Sequence, residues 1–229
     1  MAFGAVTNFK SRLQDIISSY TGSSGGIMDT DDAAVQQFII DGCYDVIEKV
    51  KVQDIGSIWE FCSSTTFNNN DGQDFDESLD IVGVERNGFP ARAVDFQLRA
   101  RLADSDSIHF ATEKDPVFYV GPDTSGNARK LYMLPAATVT EPGQVYFIPD
   151  FTITSFDSST SSIDNFPRKY YEHILIYAAM RILERHHIDL VNEEEDIELA
   201  SAIQNSIVLL KSRYLEMFGK PNLGVKEWN

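Results

Sequence analysis

Two adjacent histidines, His186 and His187, stand just ahead of an unbroken acidic block, Glu193 to Asp196. Imidazoles beside carboxylates can hold a metal ion or exchange protons, so the spacing decides what chemistry is open to them. Neighbours on a helix diverge by about 100°, and histidines that share one ion from a helix stand at i and i+4. Acids in the opening turn of a helix are stabilised by the free N–H groups there. The spacing therefore points to helix-end chemistry, with a histidine near one helix C-terminus and the acids opening the next helix.

Asp71 to Glu77 (DGQDFDE) puts three aspartates and a glutamate into one loop. Such oxygens can hold Ca²⁺, but the fixed spacing of a calcium loop with its glutamate at the twelfth position is missing. A solvated acidic loop is the alternative. Cys43 and Cys62 have no metal-type spacing and form no disulfide framework, so they read as small buried hydrophobes. His109 and His173 are isolated. Neither a phosphate-binding P-loop nor a dinucleotide fingerprint occurs. The chain is expected to be no enzyme, with no catalytic, cofactor or metal residues.

Any site has to be carried by the elements, and these change character along the 229 residues. Phe9, Leu13, Ile16, Ile17 and Tyr20 recur at helical spacing, predicting a helix from Val6 to Tyr20. After the break TGSSGG, a second helix is expected from a cap at Asp29 or Thr30. Its face is Val35, Phe38, Ile39, Gly42, Val46 and Val50, where Gly42 implies the close approach of another backbone. From Leu79 to Phe151 the signals are short strands: Ile81 to Val84 before the tight-turn pair Asn87-Gly88, then Val117 to Val120, Lys130 to Leu134 and Gln144 to Ile148. FQLRARLADSD reads equally as a helical turn or a strand.

Residues 154 to 164 are serine-rich and read as a linker. Helical signals then resume, with Asn165 as a cap, Pro167 in the first turn, and an apolar face of Tyr170, Tyr171, Ile174, Leu175, Ala178, Ile182 and Leu183. The last helix is expected to open at Asn192, with Glu195 completing a capping box. Its stripe is Ile197, Ala200, Ile203, Ile207, Leu210, Tyr214 and Met217, and Gly219 and Pro221 stop it.

The expected fold class is α+β. Residues 1–60 and 165–219 form a helical bundle, residues 61–164 an inserted antiparallel β-rich region, and residues 220–229 an extended C-terminal tail. In that tail Gly219, Pro221 and Gly224 loosen the chain, while Leu223, Val225 and Trp228 offer apolar anchors. They are the expected partner-binding residues, docking on the chain's own domain or on another component.

Net charge is −16, from 35 acids against 19 basic residues. Such a surface repels phosphate backbones. It is compatible with a passage through which DNA slides, and equally with an acidic mimic of DNA that inhibits a DNA-binding protein. The longest apolar run, Ile174 to Met180, is too short for a bilayer, so no membrane association is expected. With no apolar signal core near its start, the chain is expected to reside in the cytosol or to be assembled there.

The layout resembles the head-to-tail adaptor (connector or neck) proteins of tailed bacteriophages. The likeness is carried by FIIDGCYDVIEKV in a second helix, the tryptophan segment SIWEF, and strands with Tyr and Phe (PVFYV, RKLYMLP, VYFIP). Phe-Pro before the Tyr-rich helix FPRKYYEHILIYAAMRIL and the acid-initiated helix NEEEDIELASAIQNSIVLLKSRYLEMFG complete it. The serine tract and the longer β region depart from the shorter adaptors. The resemblance implies a homo-oligomeric ring, typically dodecameric, seated under the portal protein in the virion neck. Such a ring extends the DNA channel without specific binding and offers a platform to the next neck or tail protein.

Overall fold

The computed structural model describes residues 8–21, 30–53, 55–68, 72–74, 80–122, 129–157, 161–193 and 197–219. In chain order its elements are α1 (Phe9–Thr21), α2 (Asp32–Gln53), a 3-10 turn (Ile55–Phe61), β1 (Ser63–Phe67), β2 (Gln73–Asp74), β3 (Asp80–Arg86), β4 (Phe89–Pro90) and β5 (Arg92–Ala93). There follow a second 3-10 turn (Phe96–Leu98), α3 (Arg99–Ala103), β6 (Val117–Pro122), β7 (Arg129–Leu134) and β8 (Gly143–Ile148). Last come β9 (Ile153–Thr154), β10 (Ser162–Ile163), a 3-10 turn (Arg168–Tyr170), α4 (Tyr171–Glu193) and α5 (Ile197–Met217). The fold class is α+β.

The chain forms two compact units, Met1–Glu60 with Phe151–Asn229, and Phe61–Asp150. The boundary after Asp150 corrects the sequence reading, which gave residues 151–164 to the β-rich insertion. Hydrogen bonding shows why they belong to the helices. β9 and β10 close a small antiparallel hairpin, and the Tyr171 hydroxyl on α4 accepts from Ile163 N at 3.0 Å. Ser161 is buried; its Oγ lies 2.7 Å from the Ser155 carbonyl and accepts from Phe9 N, at the start of α1, at 3.4 Å. The expected linker is thus fastened at its described ends, where the Ser161 hydroxyl bonds backbone on both sides.

In the helical unit α4 is the central element. Tyr171, Ile174, Leu175, Ile176, Ala178, Ala179, Met180, Ile182 and Leu183 are all buried, a set too broad for one face, and α1, α2 and α5 all pack on it. At Gly42 α2 comes close to α4: a Cβ there would stand 3.1 Å from Tyr177 Cδ1 and 3.3 Å from the Ile174 carbonyl. The close approach inferred from sequence is real.

The caps differ from the expected ones. Asn8 Oδ1 accepts from Ser11 N at 3.1 Å and caps α1 ahead of Phe9; Val6, the expected start, lies outside the described residues. Asp31, not Thr30, caps α2, accepting from Ala33 N at 3.3 Å; Asp29 lies outside the described residues. Asn165 takes a left-handed conformation (φ 60°) in the turn ahead of α4, which leaves Pro167 at the cap position. Asn192 is the penultimate residue of α4 and does not open α5.

The Phe61–Asp150 unit contains two four-stranded sheets, ordered β1-β8-β3-β4 and β2-β7-β6-β5. All their pairs are antiparallel except β5 with β6, which is parallel and departs from the expected pattern. Phe67, Val84 and Val145 from the first sheet share one core with Leu131 and Met133 from the second. Asn87 (φ 47°) and Gly88 (φ 81°) make the predicted tight turn between β3 and β4. Of the undecided stretch FQLRARLADSD, Phe96–Ala103 is helical and the chain leaves the helix at Asp104; Asp95 accepts from Gln97 N at 2.8 Å and starts the turn.

Candidate functional site

Among the described residues, those with chemical potential do not converge. His186 and His187 are half-buried on α4, too far along the helix to meet His173. Glu193 ends α4, and the remaining acids of that block, 194–196, lie outside the described residues. Of the Asp71 to Glu77 loop, only Gly72, Gln73 and Asp74 are described; Asp74 sits 3.6 Å from Lys130 in the β2–β7 pair. Among the described residues no three His, Cys, Asp or Glu side chains gather as a metal site would require. Gly22 to Gly26 spells G-x-S-x-G, but the nucleophile elbow with that spelling needs a preceding strand, and here α1 precedes it. Cys43 is buried and burial pushes its thiol pKa far up, as expected of a small core residue.

What the helical unit does build is the root of the C-terminal tail. Gly219 takes a left-handed conformation (φ 72°), and its N–H donates to the Glu216 carbonyl at 2.9 Å, closing α5. Phe218, the residue before it, packs edge-on against His173 (ring centroids 4.8 Å apart) and against Tyr214 (5.2 Å). Tyr170 also packs edge-on against His173, with ring centroids 5.5 Å apart. Burial lowers the His173 pKa, opposed by a hydrogen bond to the Met217 carbonyl and by the nearby Glu172. Its Nδ1 is buried and has no hydrogen-bond partner among the described residues.

The same cluster is locked from behind. The Tyr214 hydroxyl donates to Asp45 on α2, and burial followed by that bond raises its pKa strongly. Arg213 reaches both Glu172 on α4 at 2.5 Å and the Tyr20 hydroxyl of α1 at 3.3 Å. Four helices therefore fix the point at which the tail begins. Leu223, Val225 and Trp228, the expected partner-binding residues, lie outside the described residues.

Sequence reasoning missed the outer face of α5. Ala200, Ile203, Ile207, Leu210 and Tyr214 of its expected stripe are buried, and Met217 is half-buried, but Ile197 is 83 % exposed. Ile197 instead shares a second, exposed face with Val208 (57 % exposed) and Leu215 (51 %), about 120° round the helix from the buried one, while Leu209 (60 %) is exposed on a third side. Two apolar faces on one helix blur the periodic signal of either, although Val208 and Leu215 one heptad apart could have revealed the second. At the end of this stripe, Ser212, Leu215, Glu216 and Gly219 line an open depression of about 340 Å³.

The β-rich unit carries its own apolar surface. Phe110, Ala111, Thr112, Glu113, Lys114 and Pro135 line a depression of about 410 Å³, and Ile108 beside Phe110 in sequence is 95 % exposed. None of the described helices is long and apolar enough to cross a membrane. These surfaces offer shape and apolar contact, the properties of a binding surface. Compared with models of known protein families and with curated proteins, the chain matches none.

Proposed function

We propose that this chain is a virion structural protein, a head-to-tail adaptor that forms a ring beneath the portal of a tailed bacteriophage. The ring extends the DNA channel and joins the capsid to the next neck or tail component. The single observation that carries the reading is the α5 end of the helical unit, where a fixed helix terminus meets an exposed apolar stripe at the point where a tail with three apolar anchors departs. Such a device suits assembly, in which a rigid body presents a strap to a partner. The layout of helices around a β-rich insertion, and the motifs that resemble the adaptors, supply the identity of the partner. A net charge of −16 adds a physical reason, since a channel wall that bound phosphates would retard DNA.

In this reading residues 220–229 dock on the portal. Aromatic anchors in pockets dominate many interfaces, and truncating one costs ~2 kcal/mol or more. Repetition round a ring multiplies that loss through avidity. Truncation after Gly219 is expected to leave circular dichroism and melting temperature nearly unchanged while abolishing capture by portal-bearing heads, read by co-sedimentation and negative-stain imaging. Unfolding of the truncated protein would assign Trp228 to its own core; normal capture would remove the tail as anchor. Salt-sensitive capture of a basic DNA-binding enzyme, with no ring on heads, would instead identify an acidic DNA mimic.

A further inference from the structure

The loop between α3 and β6 sets an apolar knob beside an apolar hollow, on a turn whose charges match those of a rotated copy of itself. We infer that residues 108–114 form a twofold contact with a second copy of this chain. Ile108 of each copy enters the hollow of the other, and Glu113 of each meets Lys114 of the other. This goes beyond the adaptor reading and does not depend on it.

Three observations carry the assignment. The first is that the loop is firmly held. The Ser107 N–H donates to the Asp104 carbonyl, the Phe110 N–H to the Ser107 carbonyl and the Ala111 N–H to the Leu102 carbonyl, each at 3.0 Å. Ala111 is buried with Leu102 and Val117 in a small core of its own. Arg92 grips Asp115 through two bonds of 2.8 and 2.7 Å. On that framework Ile108 is nevertheless 95 % exposed. The backbone is ordered on folding, so little ordering remains to oppose a partner.

The second observation is shape. Phe110, Ala111 and Pro135 give the hollow of about 410 Å³ its apolar lining. Ile108 stands two residues from Phe110, so their Cα atoms lie within roughly 7 Å of each other. Knob and hollow thus belong to one patch. In an isologous contact residue i meets residue j while j meets i, so one patch can satisfy itself across a twofold axis. A head-to-tail contact would need the knob and the hollow on two separate faces.

The third observation is charge. Glu113 and Lys114 are the two central residues of the Thr112–Asp115 turn, which backbone bonds of 3.3 and 3.2 Å close. Both are exposed and both line the hollow. Neighbouring opposite charges at an apex become complementary to themselves after a half turn, so two Glu113–Lys114 contacts form together. The chain carries −16, and two copies repel at long range. At about 0.15 M salt a screening length of about 8 Å weakens that repulsion while leaving contact pairs effective.

The patch is small beside the ~1,200–2,000 Å² that a stable interface buries, which makes the contact weak and reversible. It couples copies where they are concentrated.

Sedimentation velocity of the whole chain at about 0.15 M salt, from about 10 μM to about 1 mM protein, tests the contact. A particle of doubled mass should grow in with concentration, relative to whatever assembly the Ile108→Asp variant forms. Ile108→Asp should weaken the doubling about tenfold or more, with circular dichroism unchanged because this side chain lies outside the core. If the spectrum does change, Ile108→Ser should weaken the doubling in the same direction. Glu113→Lys alone, or Lys114→Glu alone, sets like charges across the axis twice and should weaken it several-fold. Both reversals together should restore it to within about threefold of the unaltered protein. Absence of doubling in the unaltered protein would overturn the inference, as would doubling indifferent to Ile108→Asp. A double reversal no stronger than the single ones would also overturn it, placing a different protein on the patch. Because no portal takes part, failure here leaves the capture experiment standing, and failure of capture leaves this one standing.

Discussion

Arg86 has only 4 % of its side chain exposed, yet it carries a full charge at the edge of the β-rich core. Its guanidinium donates to Glu141 at 2.6 Å and to the Ala136 carbonyl at 3.3 Å. Removing one member of a buried pair leaves a stranded charge, which costs about 3–5 kcal/mol when both partners are dry. Glu141 is about one-third exposed, so Glu141→Ala should fall towards the lower end of that range. Arg86→Met together with Glu141→Leu should cost less than Glu141→Ala alone in denaturant melts. His173 gives a pH signature. Burial holds its pKa below the ordinary 6.5, so the unfolded chain takes up the proton more readily than the folded one. The stability it contributes is therefore present above the ordinary value and lost as pH falls through 6.5 towards the depressed value. His173→Gln should flatten the fall in melting temperature between about pH 7 and about pH 5. His186 and His187, by contrast, should be replaceable by Gln with fold and assembly retained, and loss of a bound metal on elemental analysis would contradict this.

At the level of elements, the packing around α4 sets the sensitivities. Ile207 lies on the buried side of α5, and Ile207→Ala should cost about 2–5 kcal/mol as a core truncation. Gly42→Val places branched carbons against the Ile174 backbone, which cannot turn aside as a side chain could, so about 1–3 kcal/mol of overpacking is expected. Both are read from thermal or denaturant melts. The elements that could be read from sequence were those with one clean period. The inner stripes of α2 and α5, the strands around Asn87-Gly88 and the α+β class all follow from spacing alone. Caps were less legible, because several eligible residues stand together before each helix. Asp31 prevails over its neighbour Thr30 through contacts that spacing does not encode. The serine tract was read as a linker from its composition. What holds it is the geometry of single atoms, Ser161 Oγ and the Tyr171 hydroxyl, for which sequence has no signal. The outer stripe of α5 was hidden by the inner one.

For the molecule as a whole, the two compact units make truncation and excision informative. The helical unit is assembled from both sides of the β-rich one, and each has its own buried core. Replacing residues 61–150 with a short Gly/Ser linker should leave a cooperative, helical melt. Loss of all cooperativity on that replacement would show that the helices depend on the insertion. The acidic balance also belongs to this scale: at −16 the surface disfavours casual association with nucleic acid, so retention on DNA should be negligible at physiological salt and, if seen, should vanish steeply as salt rises.

The fastening of Phe9 to Ser161 and of Ser206 to the Tyr20 carbonyl has a consequence for how the chain is made. On a ribosome, α1 and α2 emerge well before α4, the helix that covers them, and the whole Phe61–Asp150 segment is translated in between. The middle of the chain can complete its core while the earlier helices still wait with Leu13, Ile39 and Val46 uncovered. Contacts of such long sequence separation slow folding and lengthen the exposure of apolar surface. During synthesis, then, α1 and α2 are completed only when α4 and α5 arrive, and the interval between them is when their apolar faces stand open.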